Sequence, residues 1–241
     1  MLAKLAGFVD GATAWTGAVT QAQAKATLSK RVLPFLRGAR VGGFEEWGVL
    51  TTALGANLGP GELFPLVDMW RLALLDGEFG AWAATSGAVF GLVQTGPRSY
   101  VLTVLRMLAN AFLNRDLAGA VVVRVRGVLV DALLHADAGV RTAAASVGFN
   151  VGAYVQRAGR LGEEDEVELI VAVLGAIERE TSAETLHRLV ACLGLLLRLS
   201  PHTEQLGPLL ETLRARETLR QIECRPAVRR LVVEVADKLC I

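Results

Sequence analysis

An all-α solenoid of stacked helical repeats is the fold the sequence predicts, on three observations. Apolar residues recur at three- and four-residue spacing in segment after segment from Phe64 onward. No stretch alternates long enough to compete as a strand. The best-marked helix starts are evenly spaced: Ser99, Val140, Ser182 and Arg225 lie 41, 42 and 43 residues apart. A period of about 40–47 residues with two or three helices is that of armadillo and HEAT units, which stack because one helix pair cannot bury its own apolar face. The expectation is an armadillo/HEAT-like right-handed superhelical solenoid.

The first sixty residues are the least regular, interrupted by Gly11, Gly38, Gly42, Gly43 and the run Leu58-Gly59-Pro60-Gly61. Helices fit near Trp15 to Ala26, Ser29 to Leu36 and Glu45 to Leu54, and the segment reads as an N-terminal cap, since terminal repeats are atypical. The first clear repeat helix begins near Phe64, and Gly96-Pro97 precedes the one at Ser99. A further helix is expected from Asp116 to Leu134. Its valine-rich run Ala120 to Val130 is β-branched and partly alternating, but it sits inside a helical pattern. Asp137-Ala138-Gly139 leads into the helix at Val140, and the next spans Glu163 to Arg179. Thr181-Ser182, with Glu184 close behind, caps the helix that Ser200-Pro201 stops. Helices from Glu204 to Arg214 and from Arg225 complete the chain. Residues 1–241 read as one domain, 1–60 as the cap and 61–241 as repeats.

Just over half the residues are hydrophobic (52%), a fifth are charged (20%) and there are 7 prolines, a balance of packed helices and not of disorder. The net charge of +1 gives no whole-chain reason to expect nucleic acid or a membrane surface as partner. The longest uncharged stretch, Phe79 to Pro97, is too rich in glycine and polar residues to span a bilayer. Met1 to Gly7 lacks the sustained apolar core of a secretory signal. Cys192, Cys224 and Cys240 are odd in number with no C-x-x-C pair, so neither a disulfide framework nor a zinc site is expected. A reducing compartment, cytoplasmic or nuclear, fits. Phosphate-loop, dinucleotide, zinc-protease and nucleophile-elbow motifs are absent from the sequence, which argues against an enzyme or a cofactor. His135, His187 and His202 have no catalytic context and read as surface or helix-end residues. Cys192, in an apolar run, reads as a small core hydrophobe with a raised pKa.

Information in a solenoid lies in polar residues on helices that otherwise look buried, because such residues make sense when they line a groove. Thr103, Arg106 and Asn110 fall at i, i+3 and i+7 beside the apolar stripe Val101, Leu105, Leu108 and Phe112. In the next unit Thr142, Ser146 and Asn150 recur at intervals of four, with Tyr154 one turn on; Asn150 follows Asn110 by 40 residues. An asparagine amide offers donor and acceptor together and can pair with the backbone of an extended peptide. The alternative is that both asparagines bond to loops or adjacent helices inside the stack. Arg188 opens an apolar run near the same face, and Arg71 follows Asp68 at i+3. An arginine held by a rigid helix grips a carboxylate in two-pronged fashion, which suits an acidic peptide; for Arg71 a local pair with Asp68 is the alternative. The arginines from Arg214 to Arg230 are interleaved with Glu211, Glu217, Glu223 and Glu234, and read as a solvated face.

Four segments, in order, carry a family resemblance: Phe64-Pro-Leu-Val-Asp-Met-Trp-Arg-Leu, Leu105-Arg-Met-Leu-Ala-Asn-Ala-Phe, Ala144-Ala-Ser-Val-Gly-Phe-Asn-Val and Arg188-Leu-Val-Ala-Cys-Leu-Gly-Leu-Leu. The chain resembles the PUL domain, the C-terminal module of the phospholipase A2-activating protein family, also found in some fungal thioredoxin-like and PPPDE-peptidase-like proteins. The resemblance implies an armadillo-like fold whose basic concave groove binds the acidic, tyrosine-containing C-terminal tail of the hexameric AAA ATPase valosin-containing protein. It implies an adaptor in ubiquitin-dependent protein handling, acting as a monomer without cofactor. The groove-lining positions carry over to Arg106, Asn110, Asn150 and Arg188, and also to Arg71. The rival reading is a regulatory or structural part of a larger PPPDE- or thioredoxin-like hydrolase that binds a different protein.

Overall fold

The computed structural model of the chain describes residues 1–40, 42–158, 161–198, 200–223, 225–226 and 228–238, without the side chains of residues 158, 203, 223 and 238. Cys224 and Cys240 lie outside the described residues. Among the described residues the regular elements are helices and none is a strand. They gather into two units, Met1–Arg124 and Val125–Ile241.

The first unit begins with α1 (Leu2–Gly11), α2 (Gln21–Thr27), which runs through a π-turn at Leu28–Val32 into α3 (Leu33–Leu36), and α4 (Glu45–Asn57). It continues with α5 (Pro60–Ala73), α6 (Gly77–Ser86), a 3₁₀ turn at Ala88–Leu92, α7 (Arg98–Ala111) and α8 (Arg115–Arg124). Its centre is aromatic. Trp47, Trp70 and Phe79 are fully buried. The Trp47 and Phe79 rings meet edge to face at 4.8 Å, and Trp70 stacks on Trp82 at 5.8 Å. Such pairs contribute about 0.5–1.5 kcal/mol each beyond the area they bury. The indole N–H of Trp70 is satisfied by the Thr51 hydroxyl, which itself donates to the carbonyl of Trp47. Phe35 and Phe44, from the irregular first sixty residues, stack on and edge against Phe79. The N-terminal segment therefore shares the core of this unit. Beside it, α5 lies along α7.

The second unit holds α9 (Arg126–Leu133), α10 (Ala138–Ala158), α11 (Glu163–Arg179), α12 (Ala183–Arg198), α13 (Thr203–Thr212), α14 (Ala215–Glu223) and α15 (Arg229–Lys238). Its spine is α10 along α12 and α12 along α15, with α11 packed on α9, α12 and α14. Glycines set the spacing of the spine. A Cβ on Gly152 would lie 3.0 Å from Leu195 Cβ and 3.4 Å from the Cys192 carbonyl oxygen, and one on Gly194 would lie 2.7 Å from Val235. The Cys192 thiol donates to the Gly148 carbonyl at 3.1 Å, and burial pushes its pKa up to about 12.

Polar bonds across the second unit repeat the period read from the sequence. Arg141 reaches Glu180 across 39 residues, the Thr142 and Thr185 hydroxyls meet across 43, and Thr218 donates to Glu178 across 40. Glu180, at the C-terminal end of α11, is the hub: its carboxylate accepts from Arg141 Nε at 2.8 Å and from the backbone N–H groups of Thr181 and Ser182. Burial works to raise its pKa. The Arg141 guanidinium and the two N–H groups outweigh that and hold the carboxyl below its ordinary value.

Several expected boundaries move. The helix expected from Asp116 to Leu134 breaks at Val125 into α8 and α9, where consecutive β-branched residues and Gly127 weaken helix propensity. The helix expected near Trp15 starts at Gln21, behind a capping box of Thr20 with Gln23. Arg225 precedes α15 and clamps the Glu180 and Thr181 carbonyls. The additional α14 follows Arg214, which takes a positive φ of 51° and ends the preceding helix without the glycine that usually marks such a stop.

Gly152→Val should lower stability by about 1–3 kcal/mol through overpacking against Leu195, although removing a mid-helix glycine alone is favourable; chemical denaturation measures the sign. Glu180→Gln should cost about 1.5–3 kcal/mol at pH 7. A carboxyl with a lowered folded-state pKa stabilises above its ordinary value of 4.5 and loses that contribution as pH falls through the folded value. Urea titrations across pH 7 to 2 should show the variant and parent converging on acidification.

Candidate peptide-binding surface

In the first unit the apolar side of α7 is committed to the core: Val104, Leu105, Met107 and Leu108 are buried. Arg106 points the other way, is exposed, and has no ion pair among the described residues. Thr103 returns its hydroxyl to the Ser99 carbonyl. Asn110 is tied inward: its amide donates to the Arg71 carbonyl at 2.8 Å. That carbonyl is one of the last four of α5, which lack an intrahelical donor, so Asn110 caps one helix from its neighbour. The Arg71 side chain makes the local pair with Asp68, Nε to Oδ1 at 2.8 Å. Arg106 is thus a cation that the α7 stripe leaves available to a ligand, while Asn110 joins α7 to α5 through the Arg71 carbonyl.

In the second unit Asn150 is half-buried on α10. Thr142 and Ser146, one and two turns earlier, bond back to the Ala138 and Thr142 carbonyls. Arg188 on α12 pairs with Glu184 at 2.6 Å, the two side chains 32% and 69% exposed. A solvent-exposed i, i+4 pair of this kind contributes only about 0.3–0.5 kcal/mol, so an incoming carboxylate displaces Glu184 at little cost.

Both stripes run on toward the C-terminal ends of their helices, where the sequence reading stopped. Ala153 and Arg157 continue the Thr142, Ser146, Asn150 line at helical spacing, and Ala191, Leu195 and Arg198 continue from Arg188. Together with α15 they enclose a pocket of about 480 Å³. Phe149, Ala153, Leu195 and Val235 give it an apolar lining, and the Phe149 ring is 38% exposed. Gln156 also lines it, and its side-chain Nε2 is buried with no hydrogen-bond partner. Arg157 and Arg198 at the margin are exposed and make no ion pair among the described residues, and Glu234 lies on the α15 side. Phe149, Gln156 and Arg157 are absent from the residues expected at the site from sequence, the polar line having ended at Tyr154. Extending the α10 stripe by two turns at helical spacing finds Arg157.

Among the described residues no group of three or more His, Cys, Asp and Glu side chains is placed to hold a metal ion, and no helix is long and apolar enough to cross a membrane. Glu166, at the start of α11, is buried, and desolvation raises its pKa against the Ser200 hydroxyl bond and nearby His202.

The PUL domain family model matches residues 48–238. The chain belongs to the PUL domain family. PUL domains are protein-interaction modules and not a catalytic family. The match takes in all of α5 to α15 and most of α4. No curated protein matches the chain. Among solved structures, an engineered protein from the Northeast Structural Genomics Consortium is similar, at a TM-score of 0.60 and 16% identity, over 99% of this chain and 96% of that one. At that identity the likeness speaks for the fold alone.

Asn110→Leu should destabilise the PUL domain by about 1–3 kcal/mol, because it strands the Arg71 carbonyl. The fall is to be read by denaturant unfolding, and Asp68→Ala, which breaks only a surface pair, should cost well under half as much.

Proposed function

We propose that this PUL domain is a non-catalytic adaptor module that binds the acidic C-terminal tail of a valosin-containing-protein-type AAA ATPase in ubiquitin-dependent protein handling in the cytoplasm or nucleus. One observation carries the reading: Arg106, Arg157 and Arg198 project from rigid helices without ion pairs among the described residues, and Arg188 is held only by a surface glutamate. A folded domain that keeps several guanidinium groups unneutralised on defined helical stripes favours a ligand with several carboxylates, since each arginine can then form a charge-assisted, two-pronged contact. Family membership supports a protein partner. Asn150, on the same helix as Arg157, serves an extended peptide backbone in this reading.

Titration of the purified domain with the acidic tail peptide should show binding that weakens as salt is added. Arg106→Ala or Arg188→Ala should weaken it by about 1.5–3 kcal/mol while thermal unfolding stays unchanged. Folded variants that bind as tightly as the parent would remove the reading.

A further inference from the structure

Seven prolines punctuate the chain, and Pro201 is the one that follows a serine or threonine. The pair Ser200-Pro201 sits between α12 and α13, with Pro201 exposed and Ser200 half-buried in non-helical chain. A proline in the next position holds a residue out of the α-region and in extended conformation. That is the form in which a proline-directed kinase takes its substrate. Hydroxyls such as those of Thr142 and Ser146, tied back to carbonyls within α10, are not offered in this way.

The Ser200 hydroxyl also has a structural task. It donates to Glu166 Oε2 at 2.8 Å, and its oxygen accepts the His202 backbone N–H at 3.0 Å. Glu166 belongs to the first turn of α11, where Glu163, Glu164 and Asp165 precede it, and it is only 2% exposed. His202 Nε2 stays 3.9 Å from the same carboxylate oxygen, beyond hydrogen-bond reach. Arg126 is taken by Asp165 and Glu168. A single neutral donor therefore fastens Ser200 to a buried carboxylate.

We infer that Ser200 is a phosphorylation site for a proline-directed kinase, and that its modification releases the α12–α13 connection from α11. In the transfer, Ser200 Oγ bonds to the γ-phosphorus of ATP as the bond to the β,γ-bridging oxygen breaks. ADP leaves with that electron pair, and the hydroxyl proton passes to the base of the kinase. The product carries a charge of about −1.5 to −2 at pH 7 where a donor stood. The hydrogen bond to Glu166 is lost, and two anions face each other at a buried position. Desolvation already raises the pKa of Glu166, so the site has no surplus of positive potential to receive a second negative charge.

The test incubates the whole chain with ATP and a mitogen-activated protein kinase, maps the product by tandem mass spectrometry and follows amide hydrogen exchange. Phosphate should accumulate on Ser200, and Ser200→Ala should lose most of the incorporation. In the phosphorylated chain the amides of residues 202–206 and 163–168 should exchange about tenfold faster, as for a local opening, while those in the middle of α10 and α12 stay protected. Ser200→Ala, which loses the donor without gaining charge, should show a smaller increase. Glu166→Gln, which keeps the shape and removes one anion, should restore most of the protection in the phosphorylated chain. Incorporation that spares Ser200, no incorporation at all, or a phosphorylated chain whose exchange matches that of the parent overturns the inference.

Discussion

The second unit depends on how closely α10 can approach α12. Two glycines on α10, Gly148 and Gly152, present backbone where a side chain would otherwise stand, and the Cys192 thiol uses the space to reach the Gly148 carbonyl. Gly194 repeats the device on the other side of α12, where it admits Val235 of α15. Close approach of backbones replaces bulky interdigitation, so the helices lie side by side over most of their length and their outward stripes come into register. The pocket floor exists because these three helices are close. The same glycines cost helix propensity, a loss offset only when the neighbouring helix is in place, as expected for repeats that are stable through their interfaces.

Charge is handled differently inside and outside this frame. Arg141 and Arg225 are consumed at the end of α11, where Glu180 and the carbonyls around it need donors. Arg126 is consumed by Asp165 and Glu168. The arginines on the α7 stripe and at the α10 and α12 ends have no such employment. A near-neutral chain thereby presents local cation sites without any excess of basic residues, which is why the whole-chain charge said nothing about the partner.

The repeat was legible in the sequence because apolar spacing and interval report the same physical need, a buried face once per helix. The start of α10 and the full span of α11 follow directly from it. Elements that lack that stripe were lost. Among these, α6 is capped by Asp76 and closed by Gly87 at positive φ, local signals with no strong apolar stripe between them. The stop at Arg214 had no glycine to announce it. For the surface, residue type was legible and partnership was not. Asn110 and Asn150 look alike in sequence, yet whether an amide faces a ligand or a neighbouring helix end depends on which carbonyls the fold leaves orphaned, and the Arg71 carbonyl is one of them. Gln156 could not be singled out from sequence at all, since its significance is the absence of a partner for a buried nitrogen.

The central claim is that arginines held on rigid helices grip the carboxylates of an acidic peptide. Backbone amide NMR of the isotopically labelled domain, titrated with the acidic tail peptide, tests it most directly. The account predicts salt-sensitive shifts concentrated around Arg106, Phe149 to Arg157 and Arg188 to Arg198. Shifts concentrated instead on α11, α13 or α14, or a spectrum unchanged at saturating peptide, would contradict it.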